Sequence, residues 1–148
     1  MTVDLLIERQ EELGGLAGDL AGELGPGRVV ALTGPLGAGK TTLVRELVAR
    51  MGLDPGQVRS PTFTLVNVYR AGSLTAYHVD LYRANGQSDL DSIDFEELLA
   101  DRSAVVFIEW PRLAKPHLPG TTIEIDLAFA PEVGPHARRI RVRGGEPA

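Results

Sequence analysis

The sequence predicts a three-layer α/β fold with a mixed sheet and an antiparallel C-terminal hairpin, and three stretches carry that prediction. Gly34-Pro35-Leu36-Gly37-Ala38-Gly39-Lys40-Thr41 is a glycine-rich loop between the apolar run Val29-Val30-Ala31-Leu32 and a helical pattern. Ala104-Val105-Val106-Phe107-Ile108-Glu109-Trp110 reads as a second buried strand that ends on one carboxylate. In the tail, Ile123, Ile125, Leu127 and Phe129 alternate with polar residues, and Ile140 and Val142 alternate with Arg139, Arg141 and Arg143. That alternation gives a two-strand antiparallel unit with one buried face.

The bulk composition narrows the class. A chain of 148 residues, 43% hydrophobic, can bury one core, so a single domain over 1–148 is expected. No apolar run approaches the ~18 residues of a membrane span. Met1-Thr2-Val3-Asp4 has no basic segment leading into an apolar one, so a cytoplasmic protein with no membrane partner is expected. The absence of cysteine excludes disulfides and thiolate metal sites. A formal charge of −5 argues against nucleic acid as a directly gripped partner, which would need clustered cations.

Taken in order, residues 7–24 read as an amphipathic helix, with Leu13, Leu16, Leu20 and Leu24 at helical spacing. Gly25-Pro26-Gly27 ends it. The glycine-rich loop then fits the phosphate-binding pattern, two glycines bracketing four residues before Lys-Thr. Such a backbone can curl its N–H groups toward one point. Lys40 would reach the β- and γ-phosphates, the Thr41 hydroxyl would sit on magnesium, and a helix starting near Gly39 adds its positive dipole end. Leu43, Val44, Leu47, Val48 and Met51 share that helix's buried face, and it stops at Gly52. Pro35 removes one donor at the loop entrance, while residues 36–41 keep theirs.

Ser60-Pro61-Thr62-Phe63 is extended, because Pro61 keeps its neighbours out of helix, and it runs into a strand to about Arg70. Ala71-Gly72-Ser73 turns the chain, and residues 74–80 return as a hairpin partner. Thr62 is either a turn residue or a switch-loop ligand. Asp80 is either a capping aspartate or a magnesium carboxylate. His78 is expected to pack or hydrogen-bond rather than catalyse. Residues 87–102 turn acidic, Phe95, Leu98 and Leu99 suggest a short helix there, and the carboxylates read as a solvated face. Glu109 falls at the carboxyl edge of the sheet, where α/β sites lie. Trp110 is core packing or a lid on that site.

Together, Leu36-Gly37-Ala38-Gly39-Lys40-Thr41-Thr42, Ser60-Pro61-Thr62-Phe63, His78-Val79-Asp80-Leu81-Tyr82-Arg83 and Ile108-Glu109-Trp110 resemble the TsaE (YjeE) family of tRNA threonylcarbamoyladenosine biosynthesis over about residues 7–129. The resemblance implies a P-loop ATPase fold, ATP with Mg2+ (magnesium), and weak hydrolysis by the isolated subunit. It implies action with TsaD and TsaB in modifying the adenosine that follows the anticodon, with tRNA reached only through that complex. On this match Gly37, Ala38, Gly39, Lys40, Thr41, Thr42, Thr62 and Trp110 surround the nucleotide. Thr41, Asp80 and Glu109 serve the metal, and Lys40, Asp80 and Glu109 act in catalysis. Two rival classes remain, a small-molecule kinase and a nucleotide-gated scaffold. A GTPase is disfavoured, since no Asn-Lys-x-Asp motif is present.

Overall fold

The computed structural model describes residues 2–144. Its strands are β1 (Thr2–Ile7), β2 (Val29–Thr33), β3 (Val66–Ala71), β4 (Leu74–Asp80), β5 (Ala104–Glu109), β6 (Ile123–Phe129) and β7 (Arg138–Gly144). Its α-helices are α1 (Leu13–Leu20), α2 (Lys40–Arg50), α3 (Gln87–Ser92) and α4 (Phe95–Ala100). The seven strands form one sheet in the order β1-β7-β6-β2-β5-β4-β3. Strands β4, β5, β2 and β6 run parallel. Antiparallel β3 borders β4, and antiparallel β7 and then β1 extend the opposite side.

Helices on both faces explain why the central strands are apolar throughout rather than alternating. Every residue of β5 is buried, as are Val29, Val30, Ala31 and Leu32 of β2. Val30, Leu32, Val105 and Phe107 face one way and pack with Leu13, Leu16 and Leu20 of α1 and Leu43 and Leu47 of α2. Val29, Val106 and Ile108 face the other way and pack with Leu90 of α3 and Phe95 of α4. These two cores, one on each side of the sheet, are the three layers the sequence predicts. Truncating a fully buried leucine such as Leu47 to alanine would cost about 2–5 kcal/mol.

The helix expected over 7–24 is shorter than predicted. The chain leaves β1 at Ile7, makes a 3-10 turn at Gln10–Glu12, and α1 spans only eight residues before another 3-10 turn at Ala21–Glu23. Glycine in a helix interior costs up to about 1 kcal/mol, and α1 holds three, so packing must sustain it. A Cβ on Gly18 would lie 3.2 Å from the Arg50 guanidinium, which shows how closely α1 and α2 approach.

The C-terminal strands are antiparallel as predicted, but β6 also pairs in parallel with β2, so the hairpin is built into the sheet. Of the outward arginines of β7, Arg143 pairs with Glu124 and Asp126 of β6, at 3.6 and 3.2 Å. Arg141 instead pairs with Asp4 of β1 at 2.8 Å, and Arg139 with Glu132 at 2.7 Å. The short helix expected from Phe95, Leu98 and Leu99 is α4, and α3 precedes it, the two separated where Asp94 takes a left-handed conformation, φ 51°. Among the described residues no helix is long and apolar enough to cross a membrane.

Candidate functional site

Register builds the site. Parallel pairing sets Leu32 beside Glu109 and Asp80 beside Glu109. Registered partners on adjacent strands share a face, so the two carboxylates emerge together at the carboxyl edge of the sheet. The glycine-rich loop leaves β2 at that same edge and feeds α2. A Cβ on Gly34 would lie 2.5 Å from the Leu127 carbonyl oxygen, so only glycine lets the loop leave the sheet there.

Lys40, at the start of α2, is 5% exposed. Its ammonium donates to the carbonyls of Gly34 and of Pro35, the latter at 3.0 Å, and lies 4.1 Å from the centre of the Trp110 ring. Burial holds its pKa below the ordinary lysine value, while the charges of Glu109 and Asp80 oppose that shift. Trp110 takes φ 56° as the chain leaves β5, and its ring also packs against Tyr82 with centroids 4.9 Å apart. Trp110 thus caps the loop rather than filling the core, the second of the two roles open to it from sequence.

Thr41 turns its hydroxyl onto the Glu109 carboxylate, at 2.9 and 3.1 Å from the two oxygens. Oε2 of Glu109 also lies 2.6 Å from Nε2 of His78, and Nδ1 of His78 lies 2.8 Å from the Tyr69 hydroxyl. An ionised Glu109 only accepts, so Nε2 is the nitrogen that donates to it. Burial pushes the Tyr69 phenol above its usual pKa, which keeps it a proton donor. His78 hydrogen-bonds as expected, although its partner is a candidate site residue.

Asp80 is held just as fully. Its Oδ1 accepts the Tyr82 backbone N–H at 2.9 Å, and its Oδ2 accepts from Thr62 at 2.9 Å and Ser60 at 3.3 Å. The segment carrying Thr62 is therefore tied to the end of β4. A cavity of about 180 Å³ is lined by Gly37, Gly39, Lys40, Thr41, Thr42, Thr62, Asp80, Glu109 and Trp110. Of the residues expected around the nucleotide, Ala38 alone does not line it; it is buried and gives its carbonyl to Arg138 at 3.1 Å.

Thr41, Asp80 and Glu109 offer hard oxygen donors, the chemistry magnesium prefers. Among the described residues no cluster of three or more His, Cys, Asp or Glu could hold a metal alone.

Sequence reasoning missed Gln10, Ser60, Tyr69 and Arg138. Gln10 donates to the Thr42 hydroxyl at 2.9 Å across thirty-two residues, and nothing local marks it. Ser60 sits two residues before Thr62, so both hydroxyls could have been read together. Arg138 had a legible signal: it shares parity with the buried Ile140 and Val142, so its side chain starts on the inner face.

A family model described as "Threonylcarbamoyl adenosine biosynthesis protein TsaE" matches residues 7–139. The protein described as "tRNA threonylcarbamoyladenosine biosynthesis protein TsaE" from Rickettsia felis is 36% identical over 128 residues, covering 86% of this chain and 74% of its own. The protein so described from Aquifex aeolicus is 36% identical over 114 residues, covering 76% of this chain and 80% of its own. That from Mycobacterium leprae is 41% identical over 115 residues, covering 72% and 70%. The crystal structure of Bacillus subtilis YdiB superposes with a TM-score of 0.74 at 29% identity, covering 99% of this chain and 87% of that one. In sequence, over nearly all of its length, the chain belongs to the TsaE family.

Proposed function

We propose that this chain is a magnesium-dependent subunit that binds and hydrolyses ATP to support threonylcarbamoylation of tRNA adenosine, acting with TsaD and TsaB. The process is the one named in its relatives. The observation that carries the ATPase reading is the meeting of Thr41 with Glu109 at 2.9 Å. A phosphate-loop hydroxyl and a carboxylate from the neighbouring parallel strand converge there, as a metal-assisted phosphoryl-transfer site requires. Asp80 stands beside them on the next strand.

Bound magnesium would neutralise the phosphate oxygens and bound ATP would supply the phosphoanhydride. Thr41, Asp80 and Glu109 would hold the metal, and the N–H groups of the loop would cradle phosphate oxygens. Lys40 has its charge inside the loop already and would exchange the Gly34 and Pro35 carbonyls for phosphate. Thr62, tethered to Asp80, would close the cavity from the far side. Glu109, accepting from Thr41 beside the phosphate loop and from the buried His78, would be the carboxylate that orients water. The reading takes 1–148 as one domain working in the cytoplasm, with tRNA met only through the protein complex.

Phosphate release measured with and without magnesium, and with and without purified TsaD–TsaB, tests this. Slow magnesium-dependent release that rises with the partners is expected. ATP binding with no release in any mixture would replace the ATPase by a nucleotide-gated scaffold.

A further inference from the structure

Arg138 opens β7, yet its guanidinium leaves the strand and reaches the phosphate loop one hundred residues back in the chain. Nε donates to the Ala38 carbonyl at 3.1 Å and Nη2 to the Gly37 carbonyl at 3.3 Å. Nη1 closes onto the Ala137 carbonyl at 3.0 Å, and the guanidinium lies 4.6 Å from the centre of the Phe129 ring. A planar fork with several donors can hold two successive carbonyls at once, which an ammonium on a flexible stem cannot do in the same geometry.

The peptide plane turns this anchorage into an effect on the site. In a trans peptide the C=O and the following N–H point in opposite directions. Arg138 draws the Gly37 carbonyl outward, and the Ala38 N–H turns back to the Pro35 carbonyl at 3.1 Å, closing the loop's inner turn. It draws the Ala38 carbonyl outward too, which aims the Gly39 N–H the opposite way. Gly37 and Gly39 both line the cavity. Gly39 has φ 112°, and glycine imposes little torsional preference of its own. Something outside the loop must fix the plane.

We infer that Arg138 is a positioning residue for the phosphate loop: by gripping the Gly37 and Ala38 carbonyls it pre-sets the Gly39 N–H toward a bound phosphate. This rests on the ATP-binding reading above. Pre-organised donors cost no reordering on binding, so the effect belongs in nucleotide affinity and not in the fold. The Phe129 ring, 4.6 Å from the guanidinium, supports it and acts in the same direction.

The test titrates magnesium–ATP calorimetrically into wild type, Arg138→Ala and Arg138→Lys, alongside melting and the Gly39 amide resonance without nucleotide. Arg138→Ala should weaken ATP binding about tenfold, the loss of one well-aimed hydrogen bond to a charged group. It should melt near wild type and move the Gly39 amide signal before any ATP is added. Arg138→Lys should stay close to Arg138→Ala, because it keeps the charge and loses the fork. Should Arg138→Ala melt early, Arg138→Gln, with donors for one carbonyl only, takes its place. Full affinity in Arg138→Lys would overturn the inference in favour of plain charge, and unchanged affinity with an unmoved Gly39 signal would overturn it outright. A wild type that fails to bind ATP would instead strike the ATP-binding reading itself.

Discussion

His78 and Glu109 are joined by a 2.6 Å hydrogen bond between two buried side chains, His78 being 0% and Glu109 3% exposed. Because the same carboxylate accepts from Thr41, the imidazole fixes the orientation of a group at the cavity floor. On the proposal that Glu109 holds the metal, such a partner one step behind it typically matters about 10–100-fold. His78→Ala should therefore lower phosphate release at saturating ATP by about that factor while KM changes little. His78→Gln, which restores an N–H donor, should recover part of it. A variant that merely melts earlier, with its turnover intact, would reduce His78 to packing.

Lys40→Ala should abolish most hydrolysis and still unfold cooperatively, since its contacts are loop carbonyls and the face of Trp110. A charged hydrogen bond to phosphate contributes about 1.5–3 kcal/mol, so ATP affinity should fall at least tenfold. Wild-type turnover in this variant would show the loop to be decorative.

Asp80 and Glu109 should part company under added magnesium. Asp80 has a second task in holding Thr62 and Ser60. Asp80→Ala should regain part of its activity as magnesium rises, because a lost metal ligand can be compensated by concentration. Glu109→Ala should not, because a lost water-orienting base cannot be. Equal rescue of both in phosphate-release assays would remove the distinction.

The single tryptophan offers a direct optical readout. Lys40 now sits over the Trp110 ring, and phosphate would draw that charge away. Tryptophan emission should shift saturably with ATP, with ADP competing, and Lys40→Ala should blunt the change. A flat titration alongside calorimetric binding would place the ring outside the nucleotide's influence.

What the sequence disclosed depended on how local the signal was. The glycine-rich loop, the start of α2, and the limits of β4 and β5 are written in contiguous residues, and the structure has them where they are expected. Strand β1 was hidden because Asp4-Leu5-Leu6 breaks a two-residue alternation, and its partner Ile140 of β7 is far along the chain. Helix α3 was not read, since Leu90 is its one buried residue and its other positions are polar. Within the site, residue types gave Thr41, Asp80 and Glu109, but only strand register shows Asp80 beside Glu109. Tyr69 on its own reads as an ordinary strand tyrosine, and its role appears only once β3 and β4 place it against His78.

The pairing of β1 with β7 sets a timetable for synthesis. Leu5 leaves the ribosome long before Ile140, which lies opposite it in the sheet. A nascent chain can assemble β2, α2, β4 and β5 from segments already made, but β1 must wait unpaired until β7 has been made. The outer border of the sheet is thus a late event, and a chain halted before Arg138 would lack both that border and the guanidinium that reaches back to the loop.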